Sequence, residues 1–224
     1  MSEEVERLRS GLKGASTLSA GPFTVQTGEI EGVRVLLGQS GIGKVNAAAI
    51  SQFLIDNGAK SMIFTGVAGA LDPRLAVGDV VIGSRAVQHD VDVTALGYLH
   101  GEIPGTGIEF EADDELVAMA SSVSESIEGI NTYVGPVASG DSFVSSAAVS
   151  GVIAERFGAL CAEMEGAACA QVCAGWGVPF VVVRSISDNA DHSANIDFRS
   201  FTKVAARRAD TIVRGVLQRL VQAP

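Results

Sequence analysis

Two acids stand one residue apart in "ALCAEMEGAACAQVCAGWG", residues 159 to 177, a stretch that is otherwise small or apolar. Burying an unpaired carboxylate costs several kcal/mol, so Glu163 and Glu165 need a partner or a task. Extended backbone through 161–165 points both acids to one side, whereas helical backbone separates them by about 200°. A strand-to-helix junction there aims at least one of them into a cleft. An ordinary first-turn glutamate, complementing a helix dipole, accounts for Glu165 but leaves Glu163 unexplained. A third acid, Asp188, ends the run "VVVRSISD", and ligands of α/β sheets collect at the carboxyl ends of strands. It reads either as a helix N-cap or as a functional acid. Arg184, following three valines, needs an acidic partner if buried, and Glu163 or Glu165 can supply it.

Other candidates carry less. "GQSGIGKV", residues 38 to 45, fits G-x-x-x-x-G-K but has Val45 where a phosphate loop needs a hydroxyl to ligate magnesium. A glycine-rich strand-to-helix turn explains it, and such a turn still presents backbone N–H groups to a ligand. Cys161, Cys169 and Cys173 form no C-x-x-C pair and have no histidine at metal-ligand spacing. They read as small buried hydrophobes, the last two on one helix face. In "HDVDVT", strand alternation sets His89 opposite Asp90 and Asp92, which argues against a metal site.

The elements that must position these residues follow from periodicity and turn chemistry. Val5, Leu8 and Leu12 recur at helical spacing behind Ser2 as N-cap, so the chain opens on a helix. "FTVQTGEIEGVRVLLG" reads as two strands joined near Glu31–Gly32, and "GKVNAAAISQFLIDNG" as a helix closed by Gly58. "KSMIFTG" and "GDVVIGSRAVQHD" are the next strands, the first apolar enough to be buried on both faces. Residues 93–108 form a long glycine-rich loop, a length that is often functional. A helix from Asp113 to about Ser124, a strand and turn in "TYVGPVASGDSFV", and a helix from Ala147 to Phe157 come next. "GALCAE" then feeds a helix over 165–174, "VPFVVVRSIS" is a buried strand, and a last helix runs from about Phe198 to Val221. This pattern predicts a single three-layer α/β domain over 1–224, a mixed central sheet flanked by helices.

Composition narrows the function classes. A formal charge of −10 opposes binding to a nucleic-acid backbone and favours small-molecule partners. No apolar run approaches the roughly 18 residues that span a bilayer, and the charged "MSEEVERLRSGL" is unlike a signal peptide. The expectation is a cytoplasmic protein without membrane partner, metal or cofactor.

Six stretches, in order along nearly the whole chain, carry a resemblance: "SGIGKVNAA", "TGVAGAL" with "VGDVVI", "HDVDVTALGY", "ASGDSFV", "AEMEGAA" and "VPFVVVRSISDNAD". Any one is weak, but six in order are specific. Together they resemble the nucleoside phosphorylase and hydrolase superfamily, and within it the bacterial nucleosidases of 5'-methylthioadenosine and S-adenosylhomocysteine. The resemblance implies hydrolysis of an N-glycosidic bond through an oxocarbenium-like ribose, releasing adenine and a thioribose. Asp188 matches the acid that protonates adenine N7, which requires it to hold a proton near pH 7 although an ordinary aspartate loses it near 3.9. Glu4, in the opening helix, matches the glutamate that activates water. Glu165 matches the acceptor for the ribose 2' and 3' hydroxyls, with Glu163 and Met164 lining the sugar. Phe143 is expected to stack on adenine and the Val144 backbone to read its edge, with Ala68, Gly69, Ser187 and Arg184 around the same ligand. Ile42, Phe198 and, from a neighbouring subunit, Leu96, Tyr98 and Pro104 are expected to form the alkylthio pocket of a homodimer.

Departures bear on these expectations. Relatives carry Ser where Val67 stands and an aromatic where Leu96 stands, which touches the water network and the 5' pocket. Relatives also begin with a short apolar strand ahead of the glutamate-bearing helix, so the first strand of the family is expected to be missing here and a version extended upstream to be more stable. A phosphate-dependent phosphorylase and a futalosine-type nucleosidase are the alternative enzymes, and a non-enzymatic nucleoside-binding protein is the alternative class. The glycine loops "TGVAGAL" and "GQSGIGK" contain no Arg to hold phosphate, which favours hydrolysis.

Overall fold

Alternating apolar runs between glycine turns become strands, and the Ala-rich stretches become helices, in a computed structural model that describes residues 2–190 and 194–222, without the side chains of residues 2, 20 and 194–203. In chain order the elements are α1 (Ser2–Ser10), β1 (Lys13–Ala20), β2 (Phe23–Ile30), β3 (Val33–Gly38), α2 (Lys44–Asp56), β4 (Met62–Ala70) and β5 (Val80–Gln88). A single 3₁₀ turn (Thr94–Leu96) follows, then β6 (Glu109–Glu111), α3 (Asp114–Glu125), β7 (Thr132–Ser139), α4 (Ala147–Phe157), β8 (Cys161–Glu163), α5 (Gly166–Trp176), β9 (Phe180–Asp188) and α6 (Ala194–Gln222). Asp113 caps α3, accepting the Leu116 N–H at 2.9 Å.

The central sheet is mixed, in the order β6-β5-β7-β8-β4-β9, and β9 also pairs antiparallel with β5, Val80 opposite Ser185, so the sheet curls until β9 closes on β5 and β6 is left outside the ring. A separate antiparallel meander, β1-β2-β3, stands beside it. The three layers follow from alternation along β9, which is buried at every position. Val181 and Val183 pack with Leu116 and Val123 of α3 and Ile212 and Val216 of α6. Val182 and Ile186 point the other way, into a cluster with Ile50 and Leu54 of α2 and Ala167, Cys169 and Cys173 of α5. Each such aliphatic side chain contributes about 1.5–3 kcal/mol by leaving water. All three cysteines are buried and unpaired by disulfides, and burial pushes the Cys161 thiol upward in pKa.

Strand β1 was not foreseen, and three expectations need correction. β1 has no apolar alternation in "KGASTLSA"; it forms because β2 offers it a ladder, with a register irregularity between Lys13 and Ser16. β4 is not buried on both faces: Ile63, Phe64 and Thr65 are only half-buried. They line a cavity of about 910 Å³ together with Val33–Gly38 of β3, Ile50 and Leu54 of α2, Val213 and Leu217 of α6, and Glu4 and Leu8 of α1. Among the described residues, β3 pairs only with β2, and β4 over Met62–Ala68 only with β9, so two strand edges border that space. The last helix begins at Ala194, four residues earlier than expected. Finally, β5 ends at Gln88, so strand alternation does not govern His89 and Asp90; Asp90 instead pairs with Lys44. Among the described residues no His, Cys, Asp and Glu side chains cluster to hold a metal, and no helix is long and apolar enough to cross a membrane.

Candidate active site

The junction between β8 and α5 separates the two opening acids by turning the chain at Met164. Glu163 is the last residue of β8 and Glu165 sits at the N-cap position of α5, with φ −139° and ψ −40°. The capping work falls to Glu163, a role that dipole complementation by a first-turn glutamate did not assign. Its carboxylate accepts the N–H of Glu165 at 3.1 Å and that of Gly166 at 2.7 Å, satisfying donors that a helix start leaves over. The same carboxylate takes the Ser139 hydroxyl and the Arg184 guanidinium. Glu163 and Arg184 are both buried, so the acid faces Arg184 and its oxygens are spent on protein partners. Of the two places open to Glu163, against a sugar or on Arg184, the structure shows the second. Arg184 sits under the site rather than in it, its guanidinium 5.2 Å from the Phe64 ring centroid. A Cβ on Gly66, its neighbour in the β4–β9 register, would run into that guanidinium, which is why glycine stands there.

Glu165 thereby stays outside that cluster, its side chain 14% exposed. Its Oε1 accepts the Gly43 N–H at 2.8 Å and its Oε2 lies 3.9 Å from Arg184 Nη2. Burial raises its pKa above the ordinary 4.5; Arg184 opposes the rise, Glu163 adds to it, and the Gly43 amide opposes it. The glycine turn thus offers its free amides to acids of the protein: Gly43 N–H to Glu165, and Lys44 N–H to Asp141 Oδ1 at 2.8 Å. Gly43 has φ 95°, a left-handed value that only glycine adopts without strain.

Asp188 closes β9. Pairing jumps from Ala68↔Ile186 to Gly69↔Asp188, so Ser187 is bulged out and the end of the strand is re-aimed. The Asp188 carboxylate accepts the Ala190 N–H at 2.9 Å and lies 2.8 Å from the Ser187 hydroxyl, which is 3.4 Å from the Ala68 carbonyl. The helix that follows begins only at Ala194, so Asp188 is not its N-cap; its bond to Ala190 secures a residue with φ 50°. Asp188 is buried, and a Cβ on Gly69 would come within 2.8 Å of its Oδ1. Ala68, Gly69, Ser187 and Asp188 are brought together.

The other expected residues fall into three groups. Phe143 is half-exposed and Val144 buried, on the loop that follows β7. Ile42, Leu96 and Tyr98 are exposed apolar side chains, and Pro104 is exposed as well. Glu4 is buried on α1 in the wall of the 910 Å³ cavity, which it shares with Ser40 and Thr65. Met164 is half-buried beside Glu165. Phe198 lies outside the residues whose side chains are described. Sequence reasoning missed Ser139 and Gly43 as partners of the site acids, and Asp141 as the acceptor of the neighbouring Lys44 N–H. Gly43 and Asp141 lay in stretches already singled out, but a backbone amide and a loop carboxylate announce no partner until the fold supplies one.

Comparison with known proteins agrees with this geometry. A model of the phosphorylase superfamily matches residues 1–218. A 5'-methylthioadenosine/S-adenosylhomocysteine nucleosidase of Geobacillus thermodenitrificans is 40% identical over 219 residues, covering 97% of this chain and 93% of that protein. The crystal structure of the nucleosidase of that name from Neisseria meningitidis, in complex with methylthio-immucillin-A, superposes with a TM-score of 0.93 at 40% identity, covering 97% of this chain and 95% of that one. A futalosine hydrolase of Helicobacter pylori superposes with a TM-score of 0.92 at 33% identity, covering 98% and 94%. With the match running through both the helix of Glu4 and the strand of Asp188, the chain belongs to the phosphorylase superfamily.

Proposed function

We propose that this protein hydrolyses the N-glycosidic bond of 5'-methylthioadenosine and S-adenosylhomocysteine, giving adenine and the corresponding thioribose. The observation that carries the reading is the division of labour between the paired acids: Glu163 is consumed by Arg184, Ser139 and two amides, whereas Glu165 is held by the Gly43 amide through one oxygen and is the one of the two that can meet a ribose. Arg184, tied to Glu163, has no freedom to hold a phosphate, which favours water over phosphate as the nucleophile. The greater likeness to thioadenosine nucleosidases than to a futalosine hydrolase supports the choice of substrate.

In this reading Asp188 gives a proton to adenine N7 as the bond from N9 to the ribose lengthens, so that adenine leaves neutral. Glu165 accepts hydrogen bonds from the 2' and 3' hydroxyls and stabilises the positive charge that develops on the ribose. Glu4 takes a proton from the water whose oxygen bonds to the anomeric carbon. Phe143 stacks on the base and the Val144 backbone reads its edge, while Ile42 and Met164 flank the sugar and its 5' substituent. Positioned acid and base groups contribute about 10² to 10⁴ each in rate. We further place the protein in the cytoplasm, in methionine salvage. We also read it as a homodimer in which Leu96, Tyr98 and Pro104 of one copy reach the 5' pocket of the other, a role supported by their exposure on their own chain.

The test is adenine release from 5'-methylthioadenosine with and without phosphate. Release that does not depend on phosphate is expected. Release only with phosphate would make the chain a phosphorylase, and none in either case would sink the enzyme reading. Asp188→Asn is expected to abolish turnover with melting temperature and circular dichroism retained; substantial activity in that variant removes Asp188 from its role.

A further inference from the structure

α2 begins without a cap of its own. Gly43 has no side chain, the first turn contains no acid, and no side-chain cap bond is made at Gly43. Nor does apolar packing hold that end, since Ile42 and Val45 are 72% and 79% exposed. The leftover amides are taken by carboxylates from two other elements, Glu165 at the start of α5 and Asp141 after β7. A ring then closes on the same spot. Lys44 Nζ lies 2.6 Å from Asp90 Oδ1 and 3.0 Å from Gln88 Oε1, Asp90 Oδ2 accepts the Asp141 N–H at 2.9 Å, and Asp141 Oδ1 accepts the Lys44 N–H. Two of the three links end on backbone amides, so the ring fixes main chain as well as side chains.

The ring joins the end of β5, the loop after β7 and the first turn of α2. Gly43, whose amide holds Glu165, directly precedes Lys44, and Phe143 and Val144 follow Asp141 by two and three residues. Lys44 and Asp90 are 17% and 28% exposed in their side chains, which leaves the pair less screened than a surface bridge. Burial alone would raise the Asp90 pKa; the bonds from Lys44 and the Asp141 amide outweigh it and bring it below the ordinary 3.8.

We propose that Lys44, Asp90 and Asp141 are positioning residues that hold the base-facing loop after β7 at a fixed separation from the sugar carboxylate Glu165. The inference rests on the nucleosidase reading of the site. None of the three touches the reacting atoms; they act through the Gly43 amide and through the backbone at 141.

The test uses Lys44→Met and Asp90→Asn, singly, together and in a Glu165→Gln background. With 5'-methylthioadenosine, each single variant is expected to raise KM about tenfold with kcat within about threefold, because Asp188 is untouched. The double variant is expected to be no worse than either single, and in the Glu165→Gln background the further loss shrinks towards none. Amide hydrogen exchange is the second readout: Gly43, Lys44 and Asp141 are expected to exchange faster in Lys44→Met, while the amides of β9 keep their protection. Losses that multiply across the backgrounds, or unchanged KM and unchanged exchange at Gly43, overturn the proposal. Should the wild-type protein release no adenine, the functional reading fails, and exchange at 43, 44 and 141 still decides whether the ring holds the two segments together.

Discussion

At the scale of single residues, one guanidinium serves two acids: Arg184 is paired with Glu163 and stands 3.9 Å from Glu165. Removing it as Arg184→Met leaves a buried Glu163 charge uncompensated, and the expected cost is about 3–5 kcal/mol, measured by denaturant unfolding. A loss below 1 kcal/mol would mean that Glu163 finds another partner. Glu165 gives a pH signature. Its pKa is raised, chiefly by burial, so the folded protein holds that proton more tightly than the unfolded chain does. Ionising it costs stability once the pH exceeds the unfolded value, 4.5. For the ligand the same shift acts from the other side: as pH falls towards the raised value, Glu165 gains a proton and loses acceptor capacity for the ribose hydroxyls. The part of the acid limb of kcat/KM that belongs to Glu165 is therefore expected to begin above pH 4.5 and to be lost in Glu165→Gln. A limb that persists unchanged in the variant belongs to another group.

At the scale of elements, the cavity between β3 and β4 is the feature with the plainest mechanical consequence. Two strand edges border it, and its lining joins apolar Ile50, Leu54, Phe64 and Leu217 to polar Glu4, Ser40, Ser51 and Thr65, so we expect it to seat one more extended segment with an apolar face. A short alternating apolar strand fused ahead of α1, which itself reaches this cavity through Glu4 and Leu8, is expected to raise the melting temperature. The same fusion with a central proline, which cannot complete the ladder, is not. Equal melting temperatures for the two fusions and the parent chain refute the seat. What was legible beforehand follows the same physics. β9 and α4 were visible because their signals are local: three valines in a row before Arg184, and an Ala-rich run closed at Gly158. β1 was not, because small polar residues acquire strand character only from the partner beside them. The corner at 163–166 was legible as a junction of two acids, but not in its allocation. Which glutamate caps α5 depends on Arg184, twenty-one residues away in sequence, and on the Gly43 amide, more than a hundred away.

At the scale of the whole molecule, the 93–108 loop is firmly made yet gives its own chain little packing at its tip. Asp92 accepts the N–H and hydroxyl of Thr94 at 3.0 and 2.7 Å, and Ile103 bridges Gly107, so the loop has a defined shape. On that frame Leu96 and Leu99 are 75% and 66% exposed, an arrangement of apolar groups that stays in water only at a cost unless another surface covers them. If a second copy is that surface and each loop completes the other copy's 5' pocket, activity depends on residues from both chains. Asp188→Asn kills the site of its own chain, whereas Leu96→Asp with Tyr98→Ala damages the site of the partner. In a heterodimer of the two variants, one site combines both defects and the other combines none. Random reassortment of equal amounts makes half the dimers mixed, so about a quarter of all sites regain the wild-type set. Mixing the two purified variants under conditions that exchange subunits is therefore expected to restore adenine release to about a quarter of the wild-type rate, from two preparations that are each nearly inactive on 5'-methylthioadenosine. Activity equal to the mean of the two separate variants would show that the loop serves its own chain.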